Sequence, residues 1–123
     1  MKNLIRIEEF AMAAIALFMI TKLNISISWW VIALLFFTPD ISMVGYLINN
    51  ETGAISYNLF HSKALAIAII MLGIFTGNHY IIFAGLMLFA HSSFDRVFGY
   101  GLKYFTGFSH THLGIIGNKH TQP

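Results

Sequence analysis

The chain has 123 residues, of which 57% are hydrophobic and only 10% charged, with a net charge of +2 and no cysteine. A soluble domain carries about 25% charged residues, and a fold this small exposes too much surface to hide so much apolar side chain, so a membrane protein is the better reading. Without cysteine there is neither a disulfide framework nor a thiolate metal cluster, and seven basic residues that never cluster argue against nucleic acid as a partner.

The N-terminus reads as a retained membrane segment, because Glu8 and Glu9 interrupt the basic-to-apolar order of a signal peptide and no small-x-small cleavage site follows. Four apolar stretches approach the ~20 residues needed to cross a bilayer. The first covers residues 4–23, with Arg6, Glu8 and Glu9 in its opening turns. The second covers 27–48: Trp29 and Trp30 suit the membrane interface, and Pro39 in "TPD" kinks or ends the helix before the apolar pattern resumes over 43–48. The third covers 54–75, where Ala64, Ala66, Ala68, Gly73 and Gly77 allow helices to approach closely. The fourth covers 80–98, after the loop "TGNHY", and from Gly99 the chain becomes a Gly-, Thr-, Ser- and His-rich irregular tail over 99–123. The expectation is an all-α, polytopic four-transmembrane-helix bundle forming a single domain over 1–123.

Four spans put both termini on one side, with Lys2, Arg6, Arg96, Lys103 and Lys119 there and Lys63 near its middle loop, whereas the opposite side holds Lys22 alone. The positive-inside rule then makes both termini cytoplasmic. The expected location is the inner membrane, the expected partners are its lipids, and a homo-oligomer is left open.

This topology brings the rare polar side chains to one leaflet. Glu8 lies near the start of the first span, Asp40 follows the main apolar run of the second, Asn58 and His61 open the third, and His91 and Asp95 close the fourth. His91 and Asp95 are four apart and share a helix face, and Asn58 and His61, three apart, do likewise. Histidines and carboxylates contributed by several helices are how bundles build internal metal sites, and zinc, manganese or iron suits nitrogen and oxygen ligands without sulfur. Each residue also has a plainer reading: Glu8 and Glu9 as helix-N-terminal carboxylates, Asp40 as a turn residue after Pro39, His61 as an interfacial histidine, and His91–Asp95 as a satisfied polar contact. Ionisable groups within spans nevertheless default to functional candidates, and their shared depth favours a site. In the tail, His112 of "THLG" is a further candidate metal ligand.

"LIRIEE", "PDISMVGYL", "YNLFHS", "AHSSFDRVFGYGLKY" and "GFSHTHLG" together resemble the bacterial membrane proteins catalogued as domain-of-unknown-function family 4260, over nearly the whole chain. Where that family has an acidic residue before the last Thr-His-Leu-Gly, this chain has Ser109 and His110. More distantly, Pro-Asp after the second apolar stretch, the His-Ser that follows, and His-x-x-x-Asp are similar to membrane-bound metal-dependent hydrolases of the LexA-binding inner-membrane type. That resemblance implies Asp40, His61, His91 and Asp95 as metal ligands or their partners.

The leading expectation is therefore a metal-dependent hydrolase at the cytoplasmic interface, acting on a lipid ester or phosphoester. A divalent ion would activate water, Glu8 or Asp40 would be the general base, and Arg96 or Lys103 would hold an anionic headgroup. Two other readings use the same residues. An ion- or proton-coupled transporter would carry its polar groups through the membrane's whole thickness, and a non-catalytic module would use the cluster as a structural polar lock.

Overall fold

A computed structural model describes residues 2–99, 110–111 and 113–115. Among these the chain forms five α-helices: α1 Lys2–Thr21, α2 Trp29–Phe36, α3 Asn50–Phe60, α4 Lys63–Thr76 and α5 His79–Val97. A 3-10 helix spans Thr38–Leu47, and His110–Thr111 pairs antiparallel with Gly114–Ile115 in a minimal β-ladder. The fold is all-helical apart from that ladder.

The breaks between helices are written in local chemistry. α2 ends at Phe36, and the tighter 3-10 helix begins at Thr38 with Pro39 in its first turn, where the missing N–H costs nothing. Asn49 then caps α3, its side chain accepting from the Thr52 amide at 2.7 Å. α3 stops at His61, and Ser62 caps α4 by accepting from the Ala64 amide at 3.1 Å. Gly77, at φ 68°, closes α4 in the left-handed region that only glycine enters without strain. Asn78 immediately caps α5 through the Tyr80 and Ile81 amides.

Consequently the third apolar stretch, expected as one helix over 54–75, is two helices. α3 and α4 are bent by 44° at His61–Ser62. The serine cap competes with continuation of the helix, a signal that sits in the polar triplet His61-Ser62-Lys63. Over the second stretch, α2 gives way at Phe37 to the 3-10 helix that contains Pro39.

α5 is the central element: α1 and α4 pack along it, while α3 packs back against the 3-10 helix as a separate hairpin. The core joins Ala16 and Ile20 of α1 to Phe83, Leu86, Met87 and Ala90 of α5. The hairpin closes over Gly53, which lies under the Tyr46 ring, and through the Ser56 hydroxyl donating to the Ser42 carbonyl at 2.7 Å. Outside these contacts apolar side chains stand uncovered, among them Phe75 at 91% and Leu47 at 85% exposure. Trp29–Leu47 is long and apolar enough to cross a membrane, and α3 with α4 would be a second such length if counted as one broken span.

Close approach of α4 and α5 rests on Gly85, where an added Cβ would lie 2.6 Å from Ile70 Cγ1 and 2.9 Å from the Ala66 carbonyl oxygen. Because the carbonyl belongs to the helix backbone, it cannot swing away. We expect Gly85→Ala to destabilise the protein by about 1–3 kcal/mol, measured as thermal unfolding in detergent. Ala84→Ser, on the exposed side of the same helix, should leave unfolding unchanged.

Candidate metal centre

Two breaks in the chain and one continuous helix bring polar side chains to the same point. Asp40 comes from the first turn of the 3-10 helix, His61 from the C-cap of α3, and His91 and Asp95 from adjacent turns of α5. One ligand atom from each of the four lies within 4.8 Å of all the others. The separations are nearly uniform. His61 Nε2 is 3.3 Å from Asp40 Oδ1, 3.2 Å from Asp95 Oδ2 and 3.2 Å from His91 Nε2. His91 Nε2 is 3.1 Å from Asp40 Oδ1 and 3.4 Å from Asp95 Oδ2. A tetrahedral ion with bonds of about 2.0 Å holds its ligand atoms about 3.3 Å apart. These residues therefore form a group that could hold a metal ion, and the five separations that involve a histidine match the edges of such a tetrahedron.

Hydrogen-bond chemistry sharpens this. His61 Nδ1 lies 2.9 Å from the Tyr57 carbonyl oxygen, which can only accept, so Nδ1 carries a proton. In the neutral ring, Nε2 is then a bare lone pair. It faces two carboxylate oxygens and a second imidazole nitrogen, an arrangement of acceptors around a shared centre. His91 Nε2–H could donate to one neighbour, leaving the other close contacts without a proton between them. A further proton, on an imidazole ring or a carboxyl group, or a cation at the centre relieves the repulsion.

The surroundings hold the ligands in place. The Tyr57 ring stacks on His61 with centroids 3.8 Å apart at 9°, and its hydroxyl lies 3.4 Å from Asp95 Oδ2. The Ser92 hydroxyl donates to the His61 carbonyl at 2.6 Å, pinning the break to α5. Phe36 meets His91 edge-on with ring centroids 5.2 Å apart. Side-chain exposure is 1% for His91, 4% for His61 and 16% for Asp95, but 37% for Asp40. The cluster is thus closed on three sides and opens at Asp40.

Other candidates fall elsewhere. Glu8 is exposed, and it is Glu9 that turns inward. The expectation that Glu8 lines the cluster is corrected: the inward face of α1 follows Glu9, Ala13, Ala16 and Ile20, spaced at helical intervals. Glu9 pairs with Lys63, and Arg96 Nη1 approaches Glu9 Oε1 at 3.9 Å. Arg96 is therefore turned toward α1, although its neighbour Asp95 faces the metal group. His61 ends α3 instead of opening a helix. His112 and Lys103 lie outside the described residues. Tyr57, Ser92 and the Glu9–Lys63 pair were not singled out by sequence. The four-residue spacing of Tyr57 and His61 was an available signal for the first.

The buried Glu9–Lys63 pair yields a stability test. Lys63→Met alone leaves Glu9 without its main partner and should cost about 3 kcal/mol in detergent. The double variant Glu9→Gln with Lys63→Met should recover most of that loss. An additive double variant would show that the two side chains act independently.

No curated protein and no solved structure matches the sequence. The family model described as "Domain of unknown function (DUF4260)" matches residues 2–116. That match runs from the first helix through Asp40, His61, His91 and Asp95 into the β-ladder, and by it the chain belongs to the DUF4260 family.

Proposed function

We propose that the protein is a metal-dependent hydrolase of the inner membrane, with a zinc ion held by Asp40, His61, His91 and Asp95. The observation that carries this reading is the His61 lone pair, directed by the Tyr57 carbonyl toward two carboxylates and His91. The donor set of two imidazole nitrogens and two carboxylate oxygens, at tetrahedral spacing, suits zinc. A zinc ion would supply Lewis acidity and a nucleophile at neutral pH.

The chain's own residues have separable roles. His61 and His91 are fixed ligands, buried and braced by Tyr57, Ser92 and Phe36. Asp40 turns Oδ1 toward both histidines and stands on the open side. Its Oδ2 is left to take a proton from attacking water. Tyr57 fixes Asp95 through its hydroxyl and the His61 tautomer through its carbonyl. Glu8 has no part in this scheme, and Arg96 supports α1 through Glu9.

The membrane assignment rests on uncovered apolar side chains around the fold and on charge asymmetry. In this reading α1, α2 with the 3-10 helix, α3 with α4, and α5 make four spans, two of them broken at the metal centre. Irregular backbone within a membrane is tolerated where protein or a cavity covers it, and broken helices often surround bound ions. The basic residues put both termini in the cytoplasm. A centre near the cytoplasmic headgroups would act on a lipid ester or phosphoester.

A second reading has one observation in its favour. Four protein ligands complete a tetrahedron, as they do in structural zinc sites. In that case the ion would lock α5 to both helix breaks without turnover. The opening at Asp40 favours the catalytic reading.

Metal analysis of the detergent-purified full chain tests the proposal. Wild type should carry about one zinc per chain, and His61→Ala and His91→Ala should each lose it, because removing one ligand opens the cage. Tyr57→Phe keeps the carbonyl and should keep the metal. Asp40→Asn should abolish hydrolysis of bilayer-presented esters and, because Asp40 is itself a ligand, should also weaken zinc binding. If wild type binds no metal under zinc, manganese or iron supplementation and the histidine variants only lower thermal stability, the centre is a polar lock. Metal binding without hydrolysis of esters or phosphoesters would establish the structural reading.

A further inference from the structure

An apolar groove of about 510 Å³ lies between α2, the 3-10 helix, the end of α3 and α5. Leu35, Pro39, Phe60, Phe83, Met87 and Leu88 supply much of its wall. Three of these adjoin the metal ligands along the chain. Pro39 precedes Asp40, Phe60 precedes His61, and Met87 is one helical turn before His91 on α5. Every element that delivers a ligand therefore also forms the wall, and the ligand next to Pro39 is the exposed one.

We propose that this groove holds a single acyl chain of a membrane lipid, with the lipid's ester or phosphoester end at Asp40. The inference deepens the hydrolase reading and rests on it for the word substrate; occupancy by the chain stands on the groove alone. The wall's chemistry selects the occupant. Its two hydroxyl groups are already committed: Thr38 donates to the Leu35 carbonyl and Ser42 to the Pro39 carbonyl, each at 2.7 Å. Neither a cation nor an anion lines it. A peptide or headgroup would bury polar atoms there without partners, at a cost of roughly 1–3 kcal/mol each, whereas a hydrocarbon chain has none to satisfy. Charge complementarity operates only at the metal end, where a bound cation would attract a carbonyl or phosphate oxygen. The volume falls within the 300–1,000 Å³ typical of small-molecule sites. An apolar wall built on the elements that carry the ligands would orient a lipid with its head toward Asp40 and its tail along α5.

Ala84 belongs to the wall and is itself exposed, so a large side chain there fills the groove without entering the core. The test uses the full chain in phosphatidylcholine vesicles containing a trace phospholipid with a photoactivatable diazirine in one acyl chain. Crosslinks are mapped by peptide mass spectrometry, and zinc is measured on the same samples. The label should concentrate on Phe60, Met87 and Leu88 by about tenfold over Phe75, as expected for about 1.4 kcal/mol of preference. Ala84→Trp should remove the groove label while leaving the Phe75 label and zinc content unchanged. Leu88→Trp provides the same block from another wall position if Ala84→Trp does not fold. Equal labelling of groove and Phe75, or labelling indifferent to both substitutions, would overturn the proposal. So would a wild-type oligomer that dissociates in Ala84→Trp, since the groove would then cover a second copy of the chain. Groove labelling in a wild-type protein that binds no zinc would uphold the acyl site and sink the hydrolase reading, separating the two failures.

Discussion

The interaction on which the rest depends is the hydrogen bond from His61 Nδ1 to the Tyr57 carbonyl, four residues back along α3. It exists because α3 ends there. With Ser62 capping the next helix, the His61 side chain can fold back over its own last turn, parallel to the Tyr57 ring. That geometry protonates one ring nitrogen and bares the other. The bare nitrogen then demands something positive from Asp40, His91 and Asp95, whose facing atoms are themselves acceptors or share a single proton. A helix break is thus converted into a binding requirement.

The same constraint explains why the fold has two packing units. α1, α4 and α5 form one, and α3 with the 3-10 helix forms the other. They meet at the polar centre and at the Ser92–His61 contact. A bound ion would tie the two units across this seam, which is why a structural and a catalytic use of metal share one geometry. They diverge at Asp40, the exposed ligand, whose chain neighbour Pro39 lines the apolar groove.

Much of the centre was legible in sequence. The four-residue spacing of His91 and Asp95, the Asp after Pro39 and the His-Ser pair mark Asp40, His61, His91 and Asp95 as candidates, alongside Glu8, Arg96 and His112, because helix periodicity and proline chemistry are local. What was not legible is long-range or two-sided. Glu9 and Lys63 are 54 positions apart, and no local pattern pairs them. The choice between Glu8 and Glu9 could have been made from the Ala13, Ala16 and Ile20 stripe, but a helix apolar on every side blurs its inward face. The bend at His61–Ser62 is marked by a polar interruption, His61-Ser62-Lys63, but the apolar residues that flank it read together as one length of membrane span. The all-helical class followed from four apolar stretches, each near the length that crosses a bilayer.

X-ray absorption at the zinc edge of the metal-loaded full chain is the most direct test of the central claim. Four nitrogen or oxygen ligands at about 2.0–2.1 Å with the outer-shell scattering of two imidazoles are expected in the wild type, with no zinc retained by His61→Ala. An all-oxygen shell without imidazole scattering would contradict it, because the His61 lone pair would then be answered by a proton and the metal would sit elsewhere.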